Sequence, residues 1–132
     1  MRRIWASGGA RAPDPNERPA MKKVEAVIRP FKVNEVKLAL TALGIGGMTV
    51  TEARGVGHEP EHTDTYCEAR YTIDLLPKTK IEVAVPDYLA DSVVSAVCKA
   101  ARTGAPGDGK VFVLPLIATI RIRTGEVGEA AL

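Results

Sequence analysis

The sequence predicts an α+β fold in which two strand–helix–strand units share one antiparallel sheet. Three observations point there. Apolar residues recur first with period 2, then with period 3.6, in the order strand, helix, strand, strand, helix, strand. Glycine or proline stands where each pattern breaks off. The 132 residues are 45% hydrophobic and 26% charged, the balance of one globular domain with a core of its own.

The chain bears this out element by element. Residues 1–20, rich in Gly, Pro, Arg and Ala without a period, are expected to be a disordered extension, and the folded domain to span 21–132. From Lys22 to Pro30, Val24, Ala26 and Ile28 alternate with Lys23, Glu25 and Val27, which predicts a strand. Val33, Val36, Leu40 and Leu43 form one helical stripe, stopped by Gly44. Met48–Ala53 alternates again and ends at Gly55 and Gly57. The stretch from about 56 to 77 then loses its period. A connection that long inside a small domain is usually functional or disordered. Alternation of Tyr71, Ile73 and Leu75 makes it an extended hairpin. Lys80–Val85 is the returning strand. Asp87 is placed as the N-cap of a second helix buried through Leu89, Val93, Ala96, Val97 and Ala100. Lys110–Leu114 is the fourth strand and Ala118–Arg123 a short fifth. The order βαββαβ is that of the ferredoxin-like double split unit. Its helix-free face, expected to carry Val27, Val83 and Val111, calls for a partner and hence for oligomerisation.

Several function classes fall away. A net charge of +2 without a basic, aromatic-interleaved run gives no nucleic-acid footprint. No apolar run approaches the ~20 residues of a membrane span, and Ile4-Trp5-Ala6 is too short for a signal-peptide core. Cys67 and Cys98 form no disulfide framework; both are read as reduced thiols of a cytoplasmic protein, Cys98 in the core.

Thr103-Gly104-Ala105-Pro106-Gly107-Asp108-Gly109-Lys110 lies between the second helix and the fourth strand. Glycines there let successive amides form a concave anion site, and Lys110 adds a positive charge beside it. Arg121 and Arg123 alternate, so in a strand both guanidinium groups leave one face. Together these residues look like a phosphate cradle.

At this point the chain resembles the PII family of nitrogen-regulatory signal proteins. The resemblance rests on Lys22 through Lys32, Gly47-Met48-Thr49-Val50-Thr51-Glu52, Leu76-Pro77-Lys78, Thr103 through Phe112, and Ile120-Arg121-Ile122-Arg123-Thr124-Gly125-Glu126. It implies a homotrimer whose inter-subunit clefts bind ATP or ADP, with the long 56–77 segment as the T-loop that docks on a target enzyme or membrane transporter. Carried over by position, Thr49, Glu82 and Ala84 face the adenine and ribose. The amides of Gly107, Asp108 and Gly109, the Lys110 ammonium, and Arg121 and Arg123 of a neighbouring subunit face the phosphates. Gly55, Val56, Gly57 and His58, at the T-loop base, stand nearest the γ-phosphate. Only groups touching that phosphate can tell ATP from ADP, so this base is expected to shift the loop population a partner meets. The implied protein is a regulator with at most slow, incidental ATP hydrolysis.

Departures from the pattern concentrate in the T-loop. Where the family has Gly-x-Gly-Arg-Gln-x-Gly-His-Thr, this chain reads Gly55-Val56-Gly57-His58-Glu59-Pro60-Glu61-His62-Thr63. The resemblance makes Glu59 a ligand of Mg²⁺ with ATP, and Lys78 the 2-oxoglutarate lysine. A carboxylate at Glu59 would repel that dianion, by roughly 4 kcal/mol at ~4 Å and an effective dielectric near 20, so 2-oxoglutarate is expected to bind weakly or not at all. Tyr71 corresponds to the tyrosine uridylylated in some members, in an altered context, and Cys67 replaces the arginine that plugs ammonium channels. His58 and His62 beside Glu59 and Glu61 offer donors for a transition metal, against the simpler reading of solvated loop residues. The alternative function is a PII-like sensor of another small anion, such as bicarbonate, or of a metal, serving a transporter outside nitrogen metabolism.

Overall fold

In the computed structural model, which describes residues 16, 20–56, 63–66, 69–72 and 75–132 (for 63–66 and 69–72 the backbone alone), the N-terminal strand lies inside a four-stranded sheet. The elements are β1 (Met21–Ile28), α1 (Val33–Ala42), β2 (Thr49–Gly55), β3 (Thr63–Tyr66), β4 (Ala69–Thr72), β5 (Leu76–Pro86), α2 (Asp87–Ala101) and β6 (Gly109–Leu116). The sheet order is β2-β5-β1-β6, with every neighbouring pair antiparallel. This is the expected ferredoxin-like arrangement. Within the long connection, β3 pairs with β4 as a separate hairpin, Thr63 opposite Thr72 and Tyr66 opposite Ala69.

Both helices cover one face. Val24, Ala26 and Ile28 from β1 and Ile81, Val83 and Val85 from β5 are buried against Val36 and Leu40 of α1 and Ala90, Val93 and Val97 of α2. Helix α1 ends in a Schellman motif: Gly44, at φ +83°, donates to Thr41 O at 2.9 Å and Ile45 donates to Leu40 O at 3.1 Å. Ile45 is thereby tucked into the core beside Leu40. The turn before α1 is a single 3₁₀ turn at Pro30–Lys32, so β1 stops at Ile28 and not at Pro30.

Four expectations are corrected. Val83 lies opposite Val24, and Val111 opposite Ala26, so both face the helices and not the open side; Val27 alone of the three is there. The open face instead carries Lys23, Glu25, Lys80, Glu82 and Lys110 with Phe112 and Leu114. Ala118–Arg123 forms no strand. Ile120 makes a single bridge with Val127 around a turn, closed where Gly125 donates to Arg121 O at 2.8 Å and Arg121 to Glu126 O at 2.9 Å. Turn chemistry at Thr124-Gly125 overrides the Arg-Ile-Arg alternation, and Ile122 stands fully exposed. Asp87 is the first helical residue, not the N-cap; Pro86 caps α2 without a side-chain bond, and the Asp87 carboxylate pairs with Lys22 at 3.2 Å. Cys98 is exposed, because the buried stripe of α2 is Ala90, Val93, Val97 and Ala101.

Candidate functional site

The site is built at the end of the sheet where β1 and β5 meet the glycine-rich loop. Residues Arg102–Asp108 leave α2 and enter β6 at Gly109, which lies directly opposite Ile28. Gly109 has φ +106°, and a Cβ placed on it would fall 1.7 Å from Val27 O. Only glycine permits that backbone-to-backbone contact, and it pins the loop to the sheet.

The loop is then drawn tight by one carboxylate. Asp108 accepts from the Thr103 amide at 2.8 Å, the Gly104 amide at 2.9 Å, the Thr103 hydroxyl, and Arg29 Nε at 3.0 Å. Those donors, the Thr103 hydroxyl foremost, hold its carboxyl far below the usual carboxylate range. The Asp108 side chain is therefore spent inside the loop. Two cations thus reach the loop, Arg29 from the end of β1 and Lys78 from β5. Arg29 also donates through Nη2 to Pro106 O, and Lys78 Nζ donates to Gly107 O at 2.7 Å. Sequence reasoning missed Arg29, whose only signal was an arginine placed just before the Pro30 that ends a strand.

The register sets further residues along the open face of the same sheet. Thr49 lies opposite Glu82, Ala84 opposite Lys23, and Lys110 opposite Val27. Thr49, Glu82, Ala84 and Lys110 thus share one face, as a site for a flat ligand would require. Glu82 accepts from Lys80 at 2.8 Å and Lys23 at 3.2 Å, and Lys23 also reaches Glu25 at 2.9 Å. These ammonium groups, Lys80 first, depress the Glu82 pKa, and the carboxylates in turn raise those of Lys23 and Lys80. Lys110 and Arg123 carry no ion pair or hydrogen bond among the described residues, so both charges are available to an anion.

Arg121 and Arg123 are not brought to the loop. Their turn sits at the other end of β1, where Thr119 contacts Met21 Sδ at 3.7 Å, while the loop meets Ile28. An eight-residue strand at ~3.3 Å per residue separates the two groups by roughly 20 Å. Arg121 meanwhile donates to Glu126 at 3.2 Å and to Leu132 O at 3.3 Å. Within one chain these arginines and the glycine loop cannot hold one phosphate group.

On the side of the long connection, an open cleft of about 390 Å³ is lined by Pro30, Glu52, Ala53, Arg54, Pro77, Lys78 and Thr79. Gly55 closes β2 opposite Leu76, and Val56 follows it exposed. Leu75 takes φ +60°, and its carbonyl accepts from Arg54 at 3.3 Å. Tyr71 falls in β4, opposite Asp64. Gly57, His58, Glu59, His62 and Cys67 lie outside the described residues. Among the described residues no cluster of His, Cys, Asp and Glu could hold a metal ion, and no helix is long and apolar enough to cross a membrane.

Comparison with known proteins points the same way. Residues 21–126 match the family model described as nitrogen regulatory protein P-II. The chain is 50% identical over 112 residues to nitrogen regulatory protein P-II 1 of Escherichia coli K12 and 53% identical over 112 residues to nitrogen regulatory protein P-II of Azospirillum brasilense. Each match covers 85% of this chain and the whole of the relative. Among solved structures, Arabidopsis thaliana PII bound to citrate superposes with a TM-score of 0.69 at 38% identity, covering 86% of this chain and 94% of that one.

Proposed function

Because this chain belongs to the nitrogen regulatory protein P-II family, a family of signal-transducing regulators, we propose that it senses ATP and ADP and reports their balance to a target enzyme or transporter of nitrogen metabolism. The observation that carries this reading is the glycine loop. Its Pro106 and Gly107 carbonyls are held by Arg29 and Lys78 and its one carboxylate by Arg29, Thr103 and Gly104, which leaves the Gly107 and Asp108 amides, and Lys110, without an ion pair among the described residues, as the groups a phosphate would meet. Adenine and ribose would lie on the open face along Thr49, Glu82 and Ala84. The roughly 20 Å between the loop and Arg121 and Arg123 supports an inter-subunit site, in which a second copy supplies the two arginines to the phosphates. A homotrimer, with one such cleft per subunit boundary, is the assembly we propose.

The γ-phosphate would be read at the base of the long loop, Gly55 through His58, with Glu59 as a candidate ligand of Mg²⁺. Lys78 and Arg54 line the neighbouring cleft, and the Arabidopsis relative binds citrate, so a small carboxylate is a reasonable second effector there. Glu59 argues against strong 2-oxoglutarate binding at that position. A sensor of another anion or of a metal, working outside nitrogen metabolism, is the second reading.

Calorimetric titration with ATP, followed by 2-oxoglutarate at saturating Mg-ATP, tests both. ATP heat followed by no second heat is the expected result. A strong second heat would remove Glu59 as an obstacle, and no ATP heat at all would overturn the nucleotide reading. Phosphate release from Glu59→Gln and His58→Ala tests incidental hydrolysis; unchanged turnover in both would remove these residues as catalysts.

A further inference from the structure

We infer that Arg29 and Lys78 are positioning residues that turn the amides of the glycine loop outward, by gripping from behind the carbonyls of the same peptide planes. The inference rests on the nucleotide reading above. A trans peptide is planar, and its C=O and N–H point in opposite directions. No cis peptide occurs in the described chain. Arg29 Nη2 holds Pro106 O, so the N–H of the same plane, that of Gly107, points away from Arg29. Lys78 Nζ holds Gly107 O at 2.7 Å, so the Asp108 N–H points away from Lys78. Neither amide is taken up by another group among the described residues. Two successive donors are thus left aimed to one side, the arrangement of an anion-binding nest.

Arg29 does this with a fork. Nη2 takes Pro106 O while Nε takes Asp108 Oδ1 at 3.0 Å, so one planar group sets the orientation of two positions in the loop. Lysine carries the same charge on a single nitrogen and lacks the planar two-donor fork that fixes both positions at once. Neither cation needs to touch the ligand. Each fixes the direction of a donor that does, as a supporting shell fixes the groups in front of it.

The test is nucleotide binding by Arg29→Ala, Arg29→Lys and Lys78→Gln, with ATP, ADP and adenosine as probes and amide resonances of Gly107 and Asp108 as the structural readout. All three variants are expected to lose at least tenfold in affinity for ATP and ADP while adenosine binding stays within twofold of wild type. In the nucleotide-free protein the two amide signals are expected to move. Should Arg29→Ala not fold, Arg29→Lys alone carries the decision. ATP binding by Arg29→Lys within twofold of wild type would overturn the inference, since charge alone would then suffice. So would equal losses for adenosine and ATP, the mark of general loosening. If wild-type protein binds no ATP, the nucleotide reading fails and this inference fails with it; wild-type binding with intact variants refutes this inference alone.

Discussion

Replacing Gly109 with alanine places the largest foreseeable strain on the site through the smallest possible side chain. The added Cβ would sit 1.7 Å from Val27 O and 2.8 Å from Val27 C, about half of an ordinary carbon–oxygen contact distance in the first case. Both atoms are backbone in a central strand, so β6 must withdraw from β1 where Gly109 faces Ile28. Holding a Cβ-bearing residue at positive φ costs about 1–2 kcal/mol, the overpacking ~1–3 kcal/mol, and a lost ladder bond ~0.5–1.5 kcal/mol. Together that is roughly 2.5–6.5 kcal/mol, a large part of the ~5–15 kcal/mol that holds a domain folded. Urea denaturation followed by far-ultraviolet circular dichroism measures it. With a slope of ~1–3 kcal/mol per molar, the midpoint should fall by about 2 M. Gly46→Ala is the control, since nothing lies within 4 Å of a Cβ there and its φ is unremarkable; its midpoint should hold. A midpoint for Gly109→Ala within 0.3 M of wild type, on the order of 0.5 kcal/mol, would refute the claim that this contact locks the loop to the sheet.

Asp108 gives a pH signature. Folding depresses its pKa, so its stabilisation is complete above the ordinary carboxylate value, ~3.9, and fades as pH falls from there toward the folded value. Asp108→Asn should lose that acid-side slope, and denaturation midpoints of the two proteins should converge as pH drops below about 4; parallel curves would contradict the carboxylate's role. Leu40→Ala, at a fully buried position beside Ile45, should cost about 2–5 kcal/mol in the same denaturation assay, and a loss under ~1 kcal/mol would mean the α1 contact is loose. Cys98 should be alkylated by a maleimide in the native state, as mapped by mass spectrometry; protection until denaturant is added would contradict its exposed position on α2.

How far the sequence could be read depended on whether the deciding contact was local. Alternation in β1 and the Val33, Val36, Leu40 stripe of α1 are patterns within one element, and both faces follow from them, while Leu43, the last of that stripe, lies past the helix end and is exposed. On α2 two of the four buried positions, Ala90 and Ala101, are alanines, which carry little burial signal, so the sequence pattern sets its phase about one residue off at Leu89 and Ala100 and places Cys98 inside. Val83 and Val111 were put on the wrong face although Ile81, Val83 and Val85 alternate with Lys80 and Glu82; the phase was visible, but which side the helices cover is a tertiary fact. The glycine loop announced itself through composition. Arg29 did not, because its partners Pro106 and Asp108 lie 77 and 79 residues away and no spacing rule spans that distance. Arg121 and Arg123 stand out in the sequence as a basic pair, yet Thr124 and Gly125 turn the chain where the alternation suggests a strand.

The place of β1 within the sheet has a consequence for how the molecule is made. Met21 pairs with Pro86 on one side and Leu116 on the other, so the first strand synthesised has no sheet partner until most of the chain exists. At ~5–20 residues per second the wait for β6 is on the order of ten seconds. Until β5 is made, Val24, Ala26 and Ile28 are an apolar strand with both edges open, and one edge stays open until β6 follows. Contacts of such high sequence separation also put folding in the slower part of the range for small domains. The interleaved charges of Lys22, Lys23 and Glu25 then act as gatekeepers along that waiting strand. A strand that spends its first seconds alone needs them well before it has a ligand to bind.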